Sequence, residues 1–429
     1  MEQLVINGGR PLEGTVSVSG AKNAALPIMA ATLLVEGPTV LHRVPRLSDV
    51  ETMAEILRRL GMAVEWIGPN TLHLEAERRD CTTAPADLVR AMRASICVLG
   101  PLLATRGAAC VPLPGGCVIG NRPIDLHIKA LRAMGAGFRQ EEDGIYAWAS
   151  KGLAGVRLRM LGPHGTTVTG TANILMAAVL AHGRTVIDEA ACEPEVEDLC
   201  RFLRACGARI EGIGSHSLTV KGVEHLRGRE YTIIPDRIEA GTYLAAGVIT
   251  GGRITVAGVR PKHIVATVRV MEAMGVRFDL DDDRLTAISE GPLRATKLDT
   301  APYPGPPTDM QPQLSALLCL ARGTSTVTEH VYPERFTHVP GLCAMGAAFE
   351  AADGVAAIAG VPILGGANVR ATDLRAGAAL VLAGLAAPGE TVITGMDQID
   401  RGYQKIEERL SRVGAYVRRE HIGEERKSA

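Results

Sequence analysis

Residues 131–136 read Leu-Arg-Ala-Met-Gly-Ala, and the phrase returns almost unchanged at 410–415 as Leu-Ser-Arg-Val-Gly-Ala. An amphipathic segment that runs into Gly and then a small residue marks a helix closing on a left-handed residue, where glycine carries no Cβ penalty. Gly61, Gly207, Gly275 and Gly346 stand in the same context, and with Gly135 and Gly414 the successive spacings are 74, 72, 68, 71 and 68 residues. A second set, Gly37, Gly107, Gly183, Gly252, Gly323 and Gly389, opens short β-favouring runs such as Thr-Val-Leu (39–41) and Thr-Val-Ile (185–187 and 391–393). The segments before these glycines, such as 173–180 and 376–385, are apolar nearly all round, which belongs to a helix inside a domain. The chain is therefore read as six α/β units, each longer than the about 20–50 residues of a solenoid repeat. They divide naturally into two groups of three that meet near 230–236.

The 429 residues carry 46 basic and 47 acidic side chains, a formal net charge of −1. That balance gives no support for a nucleic-acid or membrane-surface partner. Aromatic residues make up only 3% of the chain, so Ala, Val, Leu, Ile and Met must fill the core. The first ten residues have neither a basic nor an apolar export-signal region, and the apolar runs near 24–35 and 376–387 fall short of the about 20 residues that span a bilayer. Nine cysteines without a Cys-x-x-Cys pair argue against a disulfide framework or a zinc site. The expectation is a cytoplasmic protein with no metal.

The unusual residues sit at equivalent places in the units, just before the buried helix. They read Ser-Gly-Ala-Lys-Asn (19–23), Met-Arg-Ala-Ser (92–95), Thr-Val-Thr-Gly-Thr (167–171), Pro-Asp-Arg-Ile-Glu (235–239), Pro-Thr-Asp-Met-Gln (307–311) and Ala-Thr-Asp-Leu-Arg (371–375). Helix N-termini favour anions, and Ser, Thr or Asp there is explained by capping alone. Lys22, Arg93, Arg237 and Arg375 are not, because the helix dipole disfavours cations at that end; they predict an anion site. A second set precedes the amphipathic helices: the loop 115–125, Glu-Pro-Glu (193–195), Glu-Arg-Phe (334–336) and Asp-Arg-Gly-Tyr (400–403). Cys117, flanked by glycines with Arg122 five residues on, has a setting that favours a reactive thiolate. Cys97, Cys200, Cys206, Cys319 and Cys343 lie in helical apolar patterns and read as packing residues. His127 and His338 read as structural or substrate-contacting side chains. No zinc-protease, Walker, nucleophile-elbow or dinucleotide-binding motif occurs.

With Lys22-Asn23, the loop 114–125, Pro-Thr-Asp-Met-Gln and Asp-Leu-Arg present in order, the sequence resembles the UDP-N-acetylglucosamine 1-carboxyvinyltransferases, an enolpyruvyl transferase family, over residues 1–420. The resemblance implies an inside-out α/β barrel fold of two pseudo-threefold domains. The first would span 22–233 and the second 1–21 with 234–429, with the active site in the cleft between them. It implies that the 3′-hydroxyl of UDP-N-acetylglucosamine adds to C2 of phosphoenolpyruvate and that phosphate then leaves, with no cofactor. By motif position, Lys22, Arg93, Arg122, Arg335, Arg375 and Arg401 would hold the anionic donor, a task suited to bidentate arginine. Asp309 matches the general base, Asn23 a contact to sugar and intermediate, Asp373 a residue of catalysis and closure, and Cys117 the loop cysteine assigned to proton delivery, product release or a covalent phosphoenolpyruvate adduct, whose thiolate opens the epoxide fosfomycin. Thr169, Gly170 and Val331 fall where uridine and diphosphate are held. Cys97, Ala172 and His164 depart from the family pattern at packing and nucleotide-side positions. The sister synthase acting on shikimate 3-phosphate is the nearest alternative, and a silent UDP-N-acetylglucosamine-binding paralogue is a second.

Overall fold

The computed structural model describes residues 2–113, 115, 124–142, 144–163 and 165–421. The expectations for Cys117, Arg122, His164 and the charged end 423–429 fall outside the described residues. The chain is mixed α/β and forms two compact units, one of residues 19–234 and the other of 2–18 with 235–421. Each unit has its own apolar core.

One sheet plan recurs. A strand that follows a buried helix lies beside a parallel strand on one side and an antiparallel hairpin on the other. In the 19–234 unit, Thr39–His42 pairs in parallel with Glu230–Thr232 and antiparallel with Thr71–Ala76, which continues to Met62–Gly68. Arg184–Asp188 repeats the plan with Arg157–Arg159, Ser217–Lys221 and Arg209–Glu211. The third sheet, Ala108–Val111 with Gly144–Trp148 and Gly137–Glu141, has only an isolated parallel bridge, Thr83 to Cys110, in place of the fourth strand. In the other unit the chain start completes the plan twice. Glu13–Ser17 lies parallel to Arg253–Ala257, and Glu2–Gly8 lies antiparallel between Gly389–Thr394 and Tyr416–His421. That pairing is why residues 2–18 belong with the far end of the sequence.

Three buried helices stand at the centre of each unit. Lys22–Ala31, Val168–Ala178 and the Arg93–Val98 turn leading into Leu99–Arg106 touch one another in the first. Arg237–Ile249, Gln311–Leu318 and Leu374–Ala386 do so in the second. The last, Leu-Arg-Ala-Gly-Ala-Ala-Leu-Val-Leu-Ala-Gly-Leu-Ala, is buried from Leu374 to Leu385, as its nearly unbroken apolar composition requires. The outer helices are amphipathic: Ser48–Arg59 buries Val50, Met53, Ala54, Ile56 and Leu57 and leaves its arginines outward. No helix among the described residues is long and apolar enough to cross a membrane.

The six helix-closing glycines all adopt positive φ, from 84° at Gly61 to 111° at Gly207. At the strand-opening position one expectation shifts by a residue. Gly251 takes the left-handed conformation with φ 68°, while Gly252 is required for a different reason: a Cβ there would lie 2.2 Å from the Leu12 carbonyl oxygen. A second correction concerns Cys343. It is exposed rather than packed, because its short helix, Val339–Ala344, buries only Leu342.

Candidate active site

The 235–421 unit gathers four of the residues expected at the site. Asp309 lies in the short turn Thr308–Met310 that leads into the buried helix Gln311–Leu318. Arg335 reaches its Oδ1 from Nη1 at 2.8 Å, and Arg375, on the next buried helix, reaches Oδ2 from Nη2 at 2.8 Å. The guanidinia are 5% and 6% exposed, whereas the Asp309 side chain keeps 24% and is the most accessible of the three. Burial alone would raise the pKa of Asp309, but Arg375 and Arg335 outweigh it and hold the carboxyl well below its usual range. Burial works against the charge of Arg375, yet Asp309 keeps its pKa above the ordinary value.

Arg375 is fixed from three sides. Its backbone N–H and that of Ala376 donate to Asp373 Oδ1, the N-cap of the helix, at 2.8 and 3.1 Å. Thr337 Oγ1 donates to the other oxygen of Asp373. Arg375 Nη1 lies 3.4 Å from the Tyr403 hydroxyl, which also meets Thr242 Oγ1 at 2.9 Å and Gln313 Nε2 at 3.3 Å. Val331 donates its N–H to Glu329 Oε1 at 2.9 Å. Arg401 follows Asp400, whose carboxylate is gripped by both Nη atoms of Arg419, and reaches Gln398 Oε1 at 3.5 Å.

In the 19–234 unit Lys22 opens its buried helix and its Nζ meets Asp49 Oδ2 at 2.8 Å, both side chains almost wholly buried. Asn23 beside it is exposed. Arg93 opens the turn before Leu99–Arg106, near His127. His127 accepts from Asn173 Nδ2 at Nδ1 (3.1 Å), so Nε2 carries the proton and faces Thr169 Oγ1 at 3.4 Å. Burial, assisted by Arg93, pushes this imidazole down to about 3, so it is neutral at neutral pH. Asn173 also donates to Ile96 O and accepts from Gly100 N, tying two buried helices together. The Gly170 N–H is taken by the capping hydroxyl of Thr167 at 3.2 Å. Arg237, which the sequence groups with the anion-site cations, opens its helix with its guanidinium 5.5 Å from the Tyr303 ring centre.

Asp49, Glu329 and Asn173 were not among the sequence candidates. Asp49 reads as an ordinary acidic residue of a first helical turn, and Glu329 as a charged residue at a strand end. A buried carboxylate is distinguished from these only by what packs over it.

Two buried arginines bridged by one carboxylate thus stand among the central helices of a mixed α/β unit. Comparison gives it a class. A family model described as EPSP synthase (3-phosphoshikimate 1-carboxyvinyltransferase) matches residues 6–410. The solved enolpyruvyl transferase NikO from Streptomyces tendae is similar with a TM-score of 0.87 at 28% identity, covering 97% of this chain and 98% of that one. EPSP synthase from Acinetobacter baumannii shares the fold, with a TM-score of 0.71 at 18% identity over 98% of this chain and 100% of that one. The chain belongs to this enolpyruvyl transferase family. Within it, the chain is 48% identical over 419 residues to the UDP-N-acetylglucosamine 1-carboxyvinyltransferase of Methylacidiphilum infernorum, covering 98% of this chain and 99% of the relative. It is 49% identical over 419 residues to the one of Dichelobacter nodosus, with the same coverage.

Proposed function

We propose that this chain transfers the enolpyruvyl group of phosphoenolpyruvate to the 3′-hydroxyl of UDP-N-acetylglucosamine with release of phosphate, the first committed step of peptidoglycan precursor synthesis. The observation that carries the reading is near-half identity, along almost the whole chain, to transferases of that name.

The chemistry follows from charge. Phosphoenolpyruvate brings a carboxylate and a phosphate, and two guanidinia fixed in a mostly buried setting suit one such group bidentately. Arg335 and Arg375 hold the donor together with Arg401, Lys22, Arg93 and Arg122. Asp309 accepts the proton of the sugar hydroxyl as its oxygen bonds to C2, while C3 takes a proton from Cys117 or Lys22. C3 then gives up a proton, the C2–O bond to phosphate breaks, and the double bond returns in the product. The fixed cations stabilise the carboxylate and the departing phosphate through both steps. Asn23, Thr169, Gly170 and Val331 contact the nucleotide sugar, and Asp373 keeps Arg375 in place.

The plan of three larger sheets and three central helices in each unit supports an inside-out barrel of pseudo-threefold symmetry, with domain limits at 22–233 and 1–21 with 234–429. Small-molecule substrates, no cofactor and a cytoplasmic location complete the reading. Mixing the protein with both substrates is expected to release inorganic phosphate; none at saturating concentrations of both would overturn it.

A further inference from the structure

Glu329 is buried, 2% exposed, and stands at the end of the strand Thr324–Thr328 between two segments of the site. Its Oε1 accepts from Thr300 Oγ1 at 2.7 Å and from the backbone N–H groups of Val331 and Tyr332 at 2.9 and 3.0 Å. Its Oε2 accepts from Thr308 Oγ1 at 3.0 Å. Thr308 in turn receives Arg335 Nη1 at 3.1 Å. The direction of this chain is dictated by chemistry. A carboxylate can only accept and a guanidinium can only donate, so the Thr308 proton points to Glu329 and its lone pair to Arg335.

Arg335 depends on this chain. Among the described residues its guanidinium bonds to Thr308 and to Asp309, both from Nη1, and its buried Nε has no partner. Its backbone N–H bonds to the Tyr332 carbonyl at 2.8 Å, and its guanidinium lies 5.9 Å from the Tyr332 ring centre. Glu329 thus anchors the loop that carries Arg335 and orients the hydroxyl that aims its guanidinium.

We propose that Glu329 is a positioning residue for donor binding: through Thr308 and the Val331–Tyr332 backbone it sets the Arg335 guanidinium against Asp309. This rests on the reading that Arg335 holds phosphoenolpyruvate. Removing the oriented bond leaves Arg335 in place but misaimed, which weakens the hold on the donor and not on the nucleotide sugar.

The test uses the full chain and phosphate release, with each substrate varied separately. Glu329→Gln presents an N–H to Thr308 and reverses the polarity, and Thr308→Val cuts the link. Each is expected to raise KM for phosphoenolpyruvate about tenfold, and Thr308→Val, which leaves the Val331 N–H on Glu329, is expected to keep KM for UDP-N-acetylglucosamine within about twofold. Thr308→Ser, which keeps the hydroxyl, is expected to restore the parent values, and the double variant to be no worse than the worse single one. A donor KM within about twofold of the parent in folded variants, equal rises in both KM values for Thr308→Val, or multiplying effects would overturn the proposal. A readout independent of turnover is the rise in thermal midpoint on adding phosphoenolpyruvate, expected in the parent and smaller in both variants at the same concentration. If the parent shows that rise without turnover and it is smaller in the variants, the positioning role stands while the reaction reading falls. If the parent shows neither, both fall.

Discussion

Asp309 Oδ2 lies 2.8 Å from Arg375 Nη2, and Arg335 holds the opposite oxygen of the same carboxylate at the same distance. One carboxylate therefore bridges two buried cations, leaves the trio with a net charge of +1, and is also the proposed base. Its ionised form is secured at neutral pH, and its proton affinity is kept low while both guanidinia face it. A donor carboxylate that draws the guanidinia away would raise that affinity at the moment a base is needed.

Asp309→Asn keeps the shape and removes the charge, leaving two buried guanidinia facing each other. Breaking a buried ion pair from one side costs about 3–5 kcal/mol, so the urea midpoint should fall clearly and turnover should drop at least about 100-fold. Phosphoenolpyruvate should raise the midpoint of this variant more than that of the parent, because an outside anion meets cations that have lost their own. An unchanged midpoint without ligand would contradict the arrangement.

Acid should destabilise the fold through its buried imidazoles. His127 and His338 are pushed down to about 3, chiefly by burial, and the ring nitrogens of His338 have no hydrogen-bond partner among the described residues. Above about pH 6.5 neither the folded nor the unfolded chain charges them. Below it the unfolded chain takes up protons that the fold refuses, so stability falls as pH falls, by about 1.4 kcal/mol per unit for each group. His338→Leu should lose less stability than the parent between pH 7 and 5 in urea titrations. Equal losses would show that His338 is not kept neutral.

Three strand-opening threonines should tolerate loss of the hydroxyl. Thr39, Thr185 and Thr391 are fully buried, and each Oγ1 lacks a partner among the described residues. The equivalent places in two other units hold Ala109 and Ile254, so the position does not need a hydroxyl. Replacing each by Val keeps the shape and removes an unsatisfied polar atom, for a gain of about 1 kcal/mol per site by urea titration. A loss would mean that the hydroxyl has a partner, such as a bound water.

The fold was legible where a residue type has one local cause. The helix-closing glycines mark the six units because only a residue without Cβ sits easily at positive φ, and all six do so. Gly251 and Gly252 show the limit of that signal: adjacent glycines look alike in sequence, and only the approach of Leu12 separates their roles. Lys22, Arg93, Arg237 and Arg375 were legible as cations that oppose the helix dipole, and Arg335 only through the family motif. Their pairing was not, since Asp309, Arg335 and Arg375 are distant in sequence and meet through the packing of three segments. Glu329 and Asp49 escaped notice because burial, not residue type, makes them unusual.

Thiol chemistry should be confined to a few positions. Burial raises Cys97, Cys200, Cys206 and Cys319 to about 12, so they supply almost no thiolate at neutral pH. Cys343 is exposed, and Cys117 lies outside the described residues. Fosfomycin should add once per chain by intact mass, Cys117→Ser should abolish the adduct, and Cys343→Ser should leave it. An adduct persisting in Cys117→Ser would move the reactive thiol elsewhere.

The most direct test of the central claim is inorganic phosphate release from phosphoenolpyruvate with UDP-N-acetylglucosamine or shikimate 3-phosphate as the only acceptor. The account expects release with the nucleotide sugar and none with shikimate 3-phosphate. Release with shikimate 3-phosphate alone, or with neither acceptor, would contradict it.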